Sequence, residues 1–258
     1  MSTLDQHIKQ GVCLLTLQRP DKYNAFNREL SMELQSALSS AHSNEDVRAI
    51  VLTGAGKAFC SGQDLGEAID PQGVGLDRIL SEHYNPLVRL MRSVMKPIVV
   101  AVNGVAAGAG ANLALTGDIV LASEHATFIQ AFANIGLVPD TGGTWTLPRL
   151  VGPGRASAWM MLGDKISAQE AQQAGMIYRV CPADRLQDEA MQIALRLAQA
   201  PTKAFALTKQ ALNASVFAGL DAQLELEREL QNRAGASHDF AEGVQAFLEK
   251  RRPVFTGK

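Results

Sequence analysis

Three stretches of this 258-residue chain hold residue types that could do chemistry together. In "GLVPDTGGTW" (136–145) a lone carboxylate, Asp140, stands between a proline and a run of small residues. No Lys, Arg or His lies within several positions to pair its charge. In "GKAFCSGQDL" (56–65) a Ser-Gly turn follows an apolar strand and precedes an acid, a turn that can leave backbone N–H groups facing outward. In "NGVAAGAGANLAL" (103–115) small residues let backbone approach a ligand closely, and a helix start leaves N–H groups without acceptors. Two such donors aimed at one point make an oxyanion hole, which stabilises a developing enolate or tetrahedral oxyanion by roughly 3–4 kcal/mol per donor. Each stretch also has a purely structural reading. Ser61–Asp64 can be an ordinary turn, the Gly/Ala run tight helix packing, and Asp140 the N-cap of a helix beginning near Thr141. A phosphate loop is excluded, because "GAGKAF" lacks its spacing and "GAGAN" does not complete a dinucleotide fingerprint.

The elements that must position these stretches follow from periodicity. "GVCLLTLQRP" (11–20), "VRAIVLTGAG" (47–56), "KPIVVAVNG" (96–104), "DIVLAS" (118–123) and "ATFIQ" (126–130) read as strands. Helical spacing over 27–43 puts Leu30, Leu34, Ala37, Leu38 and Ala41 on one face. A strand–helix–strand order with an apolar second strand predicts a right-handed crossover and a mainly parallel sheet. Residues 66–83 read as a mobile surface loop leading into the helix "HYNPLVRLMRSVM". Beyond residue 130 helices are expected over 143–151, 154–162, 167–174, 184–199, 202–215, 218–233 and 238–250. Leu220, Leu224, Leu226 and Leu230 look exposed, which points to an oligomerisation surface.

With 47% hydrophobic and 19% charged residues, the chain suits a globular protein with a large core. A net charge of -2 supplies no basic field for nucleic acid or an anionic membrane, and no uninterrupted apolar run reaches spanning length. The N-terminal "MSTLDQHIKQG" has no apolar signal core, so the expected compartment is the cytoplasm. Cys13, Cys60 and Cys181 are widely spaced and odd in number; they are expected to be reduced, with no zinc site among them.

Together the motifs "RPDKYNAFN", "VLTGAGKAFCSGQDL", "KPIVVAVNGVAAGAGANLALTGDIVLAS", "GLVPDTGGTWTLPRLVG", "ISAQEAQQAGMI" and "GVQAFLEKRRPVF" resemble the crotonase (enoyl-CoA hydratase/isomerase) superfamily over essentially the whole chain. The resemblance implies an α/β fold: a crotonase-type ββα spiral core, residues 1–200, followed by a helical trimerisation region, 201–258. It replaces the simpler picture of one doubly wound sheet. It implies a homo-oligomer, a trimer or a dimer of trimers, acting on an acyl-CoA thioester. No metal and no cofactor is expected, coenzyme A being part of the substrate. Carried over by position, the backbone N–H groups of Gln63 and Ala109 form the oxyanion hole. Coenzyme A contacts fall to Lys22, Tyr23, Ser61, Gly62, Asp64, Leu65 and Gly108, and to Phe247 and Lys250, the last two from a neighbouring subunit or from the same one. Candidate acyl-pocket residues are Tyr84, Asn112, Phe132 and Trp145.

Hydratases of the superfamily use two glutamates, at the positions where this chain has Asn112 and Phe132. Neither residue exchanges protons at neutral pH, so hydration is disfavoured. Asp140 matches the working aspartate of isomerases and of an aryl-CoA dehalogenase. The resemblance implies a single-base shuttle that takes a proton from C2 of the thioester. "HYNPLVRLM", "NGVAAGAGA", "GGTWTLPR" and "RRPVFTGK" resemble the branch that converts ring 1,2-epoxyphenylacetyl thioesters to oxepins in phenylacetate breakdown. The same base could shift a double bond in an unsaturated acyl-CoA. Rival readings are a Δ3,Δ2-enoyl-CoA isomerase, a dehalogenase with Asp140 as nucleophile, a hydratase, and a non-enzymatic RNA binder. Apolar neighbours would raise the Asp140 pKa and a helix N-terminus would lower it, so the sign is open at this level.

Overall fold

The computed structural model describes residues 2–258. Ten strands form two sheets: β1 (Leu4–Lys9), β2 (Val12–Leu17), β3 (Ala49–Gly54), β4 (Ala58–Cys60), β5 (Ile98–Val102), β6 (Val105–Ala107), β7 (Ile119–Ser123), β8 (Thr127–Ile129), β9 (Lys165–Ser167) and β10 (Arg179–Cys181). One sheet has the order β1-β2-β3-β5-β7-β10 and the other β4-β6-β8-β9. The hairpin β1–β2 turns through Gln10 (φ 51°) and Gly11 (φ 79°). Onward from β2 the larger sheet is parallel. Each pair β3/β4, β5/β6 and β7/β8 gives one strand to each sheet before a helical segment, which is the ββα spiral.

Parallel strands covered on both faces are apolar throughout, and β3 and β5 are buried at every position. Their side chains still alternate. Ile50, Leu52, Ile98 and Val100 face the main core with Leu30, Leu34 and Leu38 of α1 (Arg28–Ser43). Ala49, Val51, Val99 and Ala101 face Leu186, Ala190, Ala194 and Ala198 of a later helix. Asn27 caps α1, its side chain accepting from Leu30 N at 3.0 Å.

Residues 66–83, expected as a loop, fold into helical turns instead: α2 (Leu65–Ala68), α3 (Gly75–Arg78) and a π-turn, Ile79–Tyr84, that runs into α4 (Asn85–Ser93). Pro86 explains the π-turn. It has no N–H and its ring crowds the carbonyl one turn back, so Asn85 N–H donates to Leu80 O, five residues earlier. The insertion turns Tyr84 into the protein, where it is fully buried.

The remaining helices are α5 (Ala109–Ala114), α6 (Gly143–Val151), α7 (Pro153–Leu162), α8 (Ala168–Gln173), α9 (Leu186–Ala198), α10 (Thr202–Ser215), α11 (Leu220–Gly235) and α12 (His238–Glu249), within a few residues of expectation. Expected elements leave out β1, β4, β6, β9 and β10; apart from β1 these are three-residue strands, too short to display a period. Leu230 corrects a second expectation: it is buried rather than exposed and Leu226 is half-buried, while Leu220 and Leu224 are exposed. All three cysteines are free and buried. No helix among the described residues is long and apolar enough to cross a membrane.

The chain end is clipped to the core. Asp239, 3% exposed, accepts from Thr256 N at 2.7 Å and Gly257 N at 2.8 Å. Arg48 donates to Phe255 O at 2.8 Å and to Thr202 Oγ1 at 3.0 Å. Asp239→Ala leaves two amides without acceptors, a cost of about 1–3 kcal/mol in denaturant unfolding. Carboxypeptidase should then trim the tail faster than in the wild type; an unchanged trimming rate would show that the clip does not hold it.

Candidate active site

Parallel pairing of β4 with β6 sets the C-terminal ends of these two strands side by side. Gln63 follows β4 by three residues, and Ala109 opens α5 two residues after β6. Two glycines let the ends close up. Gly62 has φ 95°, and a Cβ there would lie 2.9 Å from Ala107 O and 3.5 Å from Ala109 N. Gly108, with φ 51° and ψ −124°, makes a reversal open to glycine alone, with its N–H held by Ile129 O at 2.8 Å. The N–H groups of Gln63 and Ala109 are left without a hydrogen-bond partner among the described residues. Both residues line a cavity of about 810 Å³.

Asp140 lines the same cavity. It is not a helix cap: α6 begins at Gly143 with Gly142 as its capping residue and no side-chain cap. Its Oδ1 accepts from Thr141 Oγ1 at 2.8 Å, and it has no ion pair among the described residues. Burial pushes its pKa up, against the lowering effect of the Thr141 hydroxyl and of its own backbone. The sign left open by the sequence is therefore upward. Asp64, on the same cavity wall, goes the other way. Its hydrogen bond with Arg19, at 2.9 Å and reinforced by the guanidinium charge, holds it below its ordinary value against burial. Its other oxygen accepts from Gly66 N at 3.1 Å and caps α2.

The cavity brings together Lys22, Ser61, Gly62, Gln63, Asp64, Leu65, Tyr84, Gly108, Ala109, Phe132 and Asp140. Lys22 is the one cationic side chain among them. Leu76, Ile79, Leu80, Leu137 and Val138 complete an apolar wall. Tyr84 Oη donates to Gln63 Oε1 at 2.8 Å, and its ring meets Phe26 edge-on at 5.8 Å. Gln63 Nε2 donates to Glu67 Oε2 at 2.8 Å, whose Oε1 accepts from Arg28 N at 2.9 Å.

Five expected site residues lie elsewhere. Tyr23 points to solvent, and its carbonyl accepts from Ser61 N at 3.0 Å, bracing the turn. Asn112 is fully buried behind the cavity, not in its lining: Nδ2 donates to Asp140 O at 2.8 Å and Oδ1 accepts from Gln130 Nε2 at 2.9 Å. Trp145 lies within α6 and packs against Phe217 and under the Arg149 guanidinium, lining a separate cavity beside α10. Phe247 and Lys250, at the end of α12, do not reach the cavity of their own chain; Phe247 is exposed. Arg19, Glu67 and Gln130 were missed. Arg19 and Asp64 are 45 residues apart, a separation with no local signal, and Gln130 offers only a polar residue closing an apolar strand. Among the described residues no three His, Cys, Asp or Glu side chains cluster to hold a metal.

The enoyl-CoA hydratase/isomerase family matches residues 7–258. The chain is 48% identical to the 1,2-epoxyphenylacetyl-CoA isomerase of Escherichia coli (strain K12), with both chains covered in full. It is also 48% identical to a probable enoyl-CoA hydratase of Rhodobacter capsulatus, covering 99% of this chain and 98% of the relative. Among solved structures, a putative enoyl-CoA hydratase/isomerase from Mycobacterium abscessus superposes with a TM-score of 0.94 at 40% identity, covering 99% of this chain and 100% of that one. With a spiral of paired strands and a match along almost its whole length, this chain is an enzyme of the enoyl-CoA hydratase/isomerase, or crotonase, family.

Proposed function

We propose that the enzyme is an acyl-CoA isomerase that moves a proton from C2 of its thioester through one base, Asp140. One observation carries this: an unpaired, desolvated carboxylate shares an apolar cavity with two amide N–H groups that have no acceptor. The substrate we assign is ring 1,2-epoxyphenylacetyl-CoA, converted to the oxepin thioester, as the name of the Escherichia coli relative suggests. The same machinery would shift a β,γ double bond of an unsaturated acyl-CoA into conjugation.

Asp140 takes the C2 proton, and the C–H electron pair moves toward the carbonyl oxygen. The Gln63 and Ala109 N–H groups hold the enolate oxygen, an interaction stronger for the enolate than for the neutral ester. As the thioester carbonyl re-forms, the pair moves into the adjoining epoxide or alkene. The protonated Asp140 then returns the proton at the far end of the rearranged π system. Leu76, Ile79, Leu80 and Phe132 suit an uncharged ring. Hydration, the activity in the name of the Rhodobacter relative, asks for a second proton-exchanging group; Asn112 and Phe132 supply none. The reading calls for no cofactor. We place Lys22 toward the polyanionic end of coenzyme A. We further propose a cytoplasmic trimer or dimer of trimers built on region 201–258, with exposed Phe217, Leu220 and Phe247 covered and Phe247 and Lys250 offered to a neighbour's cavity.

Asp140→Asn should cut turnover by roughly 10²–10⁴-fold on both the epoxide and a β,γ-unsaturated acyl-CoA, with thioester binding retained. Ultraviolet absorbance and mass spectrometry read the products; near-wild-type turnover on both substrates would sink the single-base mechanism. Gly62→Ala, which forces backbone beside the Ala109 amide to shift, should lower kcat/KM by about 10²–10³-fold without touching a side chain of the site.

The raised pKa also has a sign in stability. Burial disfavours the ionised Asp140, so stability is untouched below the ordinary carboxylate pKa. It falls as pH rises from there through the raised value, and the cost persists above. Asp140→Asn should therefore raise Tm at pH 7, by roughly 2–4 °C per kcal/mol relieved. The difference should vanish in acid, where the native carboxyl is neutral; a variant equally destabilised at both pH values contradicts the assignment.

A further inference from the structure

Directly after the base, two consecutive residues are left-handed: Thr141 at φ 52° and Gly142 at φ 73°. A β-branched residue in this region is strained and persists only where its surroundings over-determine it. Left free, the loop would relax by rotating Thr141, and the carboxylate of Asp140 would turn with it.

The restraint is a buried relay of amides. Asn112 is 0% exposed and Gln130 1% exposed. Gln130 Nε2 donates to Asn112 Oδ1 at 2.9 Å, and Asn112 Nδ2 donates to Asp140 O at 2.8 Å. The first bond fixes which end of the Asn112 amide is donor, since a flipped amide would set N–H against N–H. Gly143, at the start of α6, leaves room for that amide; a Cβ there would run into it. Asn112 sits three positions beyond Ala109 on the same short helix, and Asn112 N is bonded to Gly108 O at 3.1 Å. Gln130 follows β8 directly, and Ile129 O holds Gly108 N. The base and one donor of the hole are thus hung from the same stretch of α5, through a closed circuit of hydrogen bonds.

We propose that Asn112, oriented by Gln130, is a positioning residue that sets the Asp140 carboxylate against the Ala109 amide, and not a residue that meets the acyl group. An amide is required there: a carboxylate could not donate to the Asp140 carbonyl and would add a second negative charge behind the base. The inference rests on the assignment of Asp140 as the base.

The test uses the full-length enzyme with trans-3-hexenoyl-CoA as substrate and hexanoyl-CoA as a non-reacting thioester. Asn112→Ala and the isosteric Asn112→Asp should lower kcat ~10²-fold, as misplacement of a reacting group by about 1 Å does, while KM and the hexanoyl-CoA Kd stay within about threefold. Gln130→Met, which keeps volume but frees the Asn112 amide, should lower kcat less and in the same pattern. Deuterium uptake at C2 of phenylacetyl-CoA in D2O should fall in parallel with kcat. A kcat within about threefold of wild type with only Tm reduced would overturn the proposal, as would a loss of thioester binding as large as the loss of kcat. If Asn112→Ala does not fold, Gln130→Met decides by the same criteria. Asp140→Asn run alongside separates the two levels. Activity retained in Asp140→Asn refutes the base itself, whereas activity lost there but kept in Asn112→Ala refutes only the positioning role.

Discussion

Two main-chain N–H groups without acceptors are the constraint on which this site depends. Buried backbone donors are almost always paired, and leaving one unmet costs about 1–3 kcal/mol. Here two are left unmet against one cavity, at Gln63 and Ala109. The fold makes this arrangement hard to avoid. Because β4 and β6 run parallel as neighbours, the chain leaves both strands at the same edge of the sheet. One exit turns through Gly62 and the other through Gly108, and each turn carries the next N–H out of the ladder. A ligand oxygen at that edge supplies what the protein does not.

Around that point the protein sorts two carboxyl groups by environment alone. Asp64 and Asp140 line one cavity, yet Arg19 draws the first down while burial drives the second up. Pairs of acids whose surroundings push them apart are how one site holds a fixed anion and a working base together. Asp64 is spent on structure, capping α2 and anchoring Arg19, whose guanidinium also donates to Ala25 O. Asp140 has only a hydroxyl neighbour, so its proton affinity is free to serve a substrate.

What the sequence shows of this follows the range of the interactions involved. Long strands and amphipathic helices were legible because each carries its own period: β3, β5, α1 and the helices from α6 to α12 fall where spacing puts them. Three-residue strands carry none, and the second sheet, built wholly from them, came from family resemblance alone. The reading of Asp140 as a helix cap was reasonable locally and fails because Thr141 and Gly142 turn left-handed before α6 begins. Trp145 shows the converse error: five residues from the base in sequence, it belongs to another face of the molecule. Leu230 looked exposed because helical spacing cannot say which neighbour covers a face; α10 and α11 pack together. Arg19, Glu67 and Gln130 act through partners distant in the chain, and no window of sequence contains them.

Strain and unmet polarity then concentrate on one wall, and rigid supports hold them from both sides. Glu67, fixed by the first amide of α1, grips the Gln63 side chain, and Tyr84 grips it from the π-turn. Opposite, Gln130 and Asn112 tie the Asp140 loop to α5. Each support ends on an element packed into the main core: Leu30 and Leu34 of α1, Ile79 and Tyr84 of the π-turn, Ala111 and Leu113 of α5. Proton transfer to carbon tolerates little misplacement, so a site of this kind needs its reacting groups on anchored backbone more than it needs many of them. The helical turns beside the cavity, which the sequence presents as a loop, fit that need: Pro86 forces the π insertion, the insertion buries Tyr84, and Tyr84 holds the residue whose amide faces the substrate oxygen.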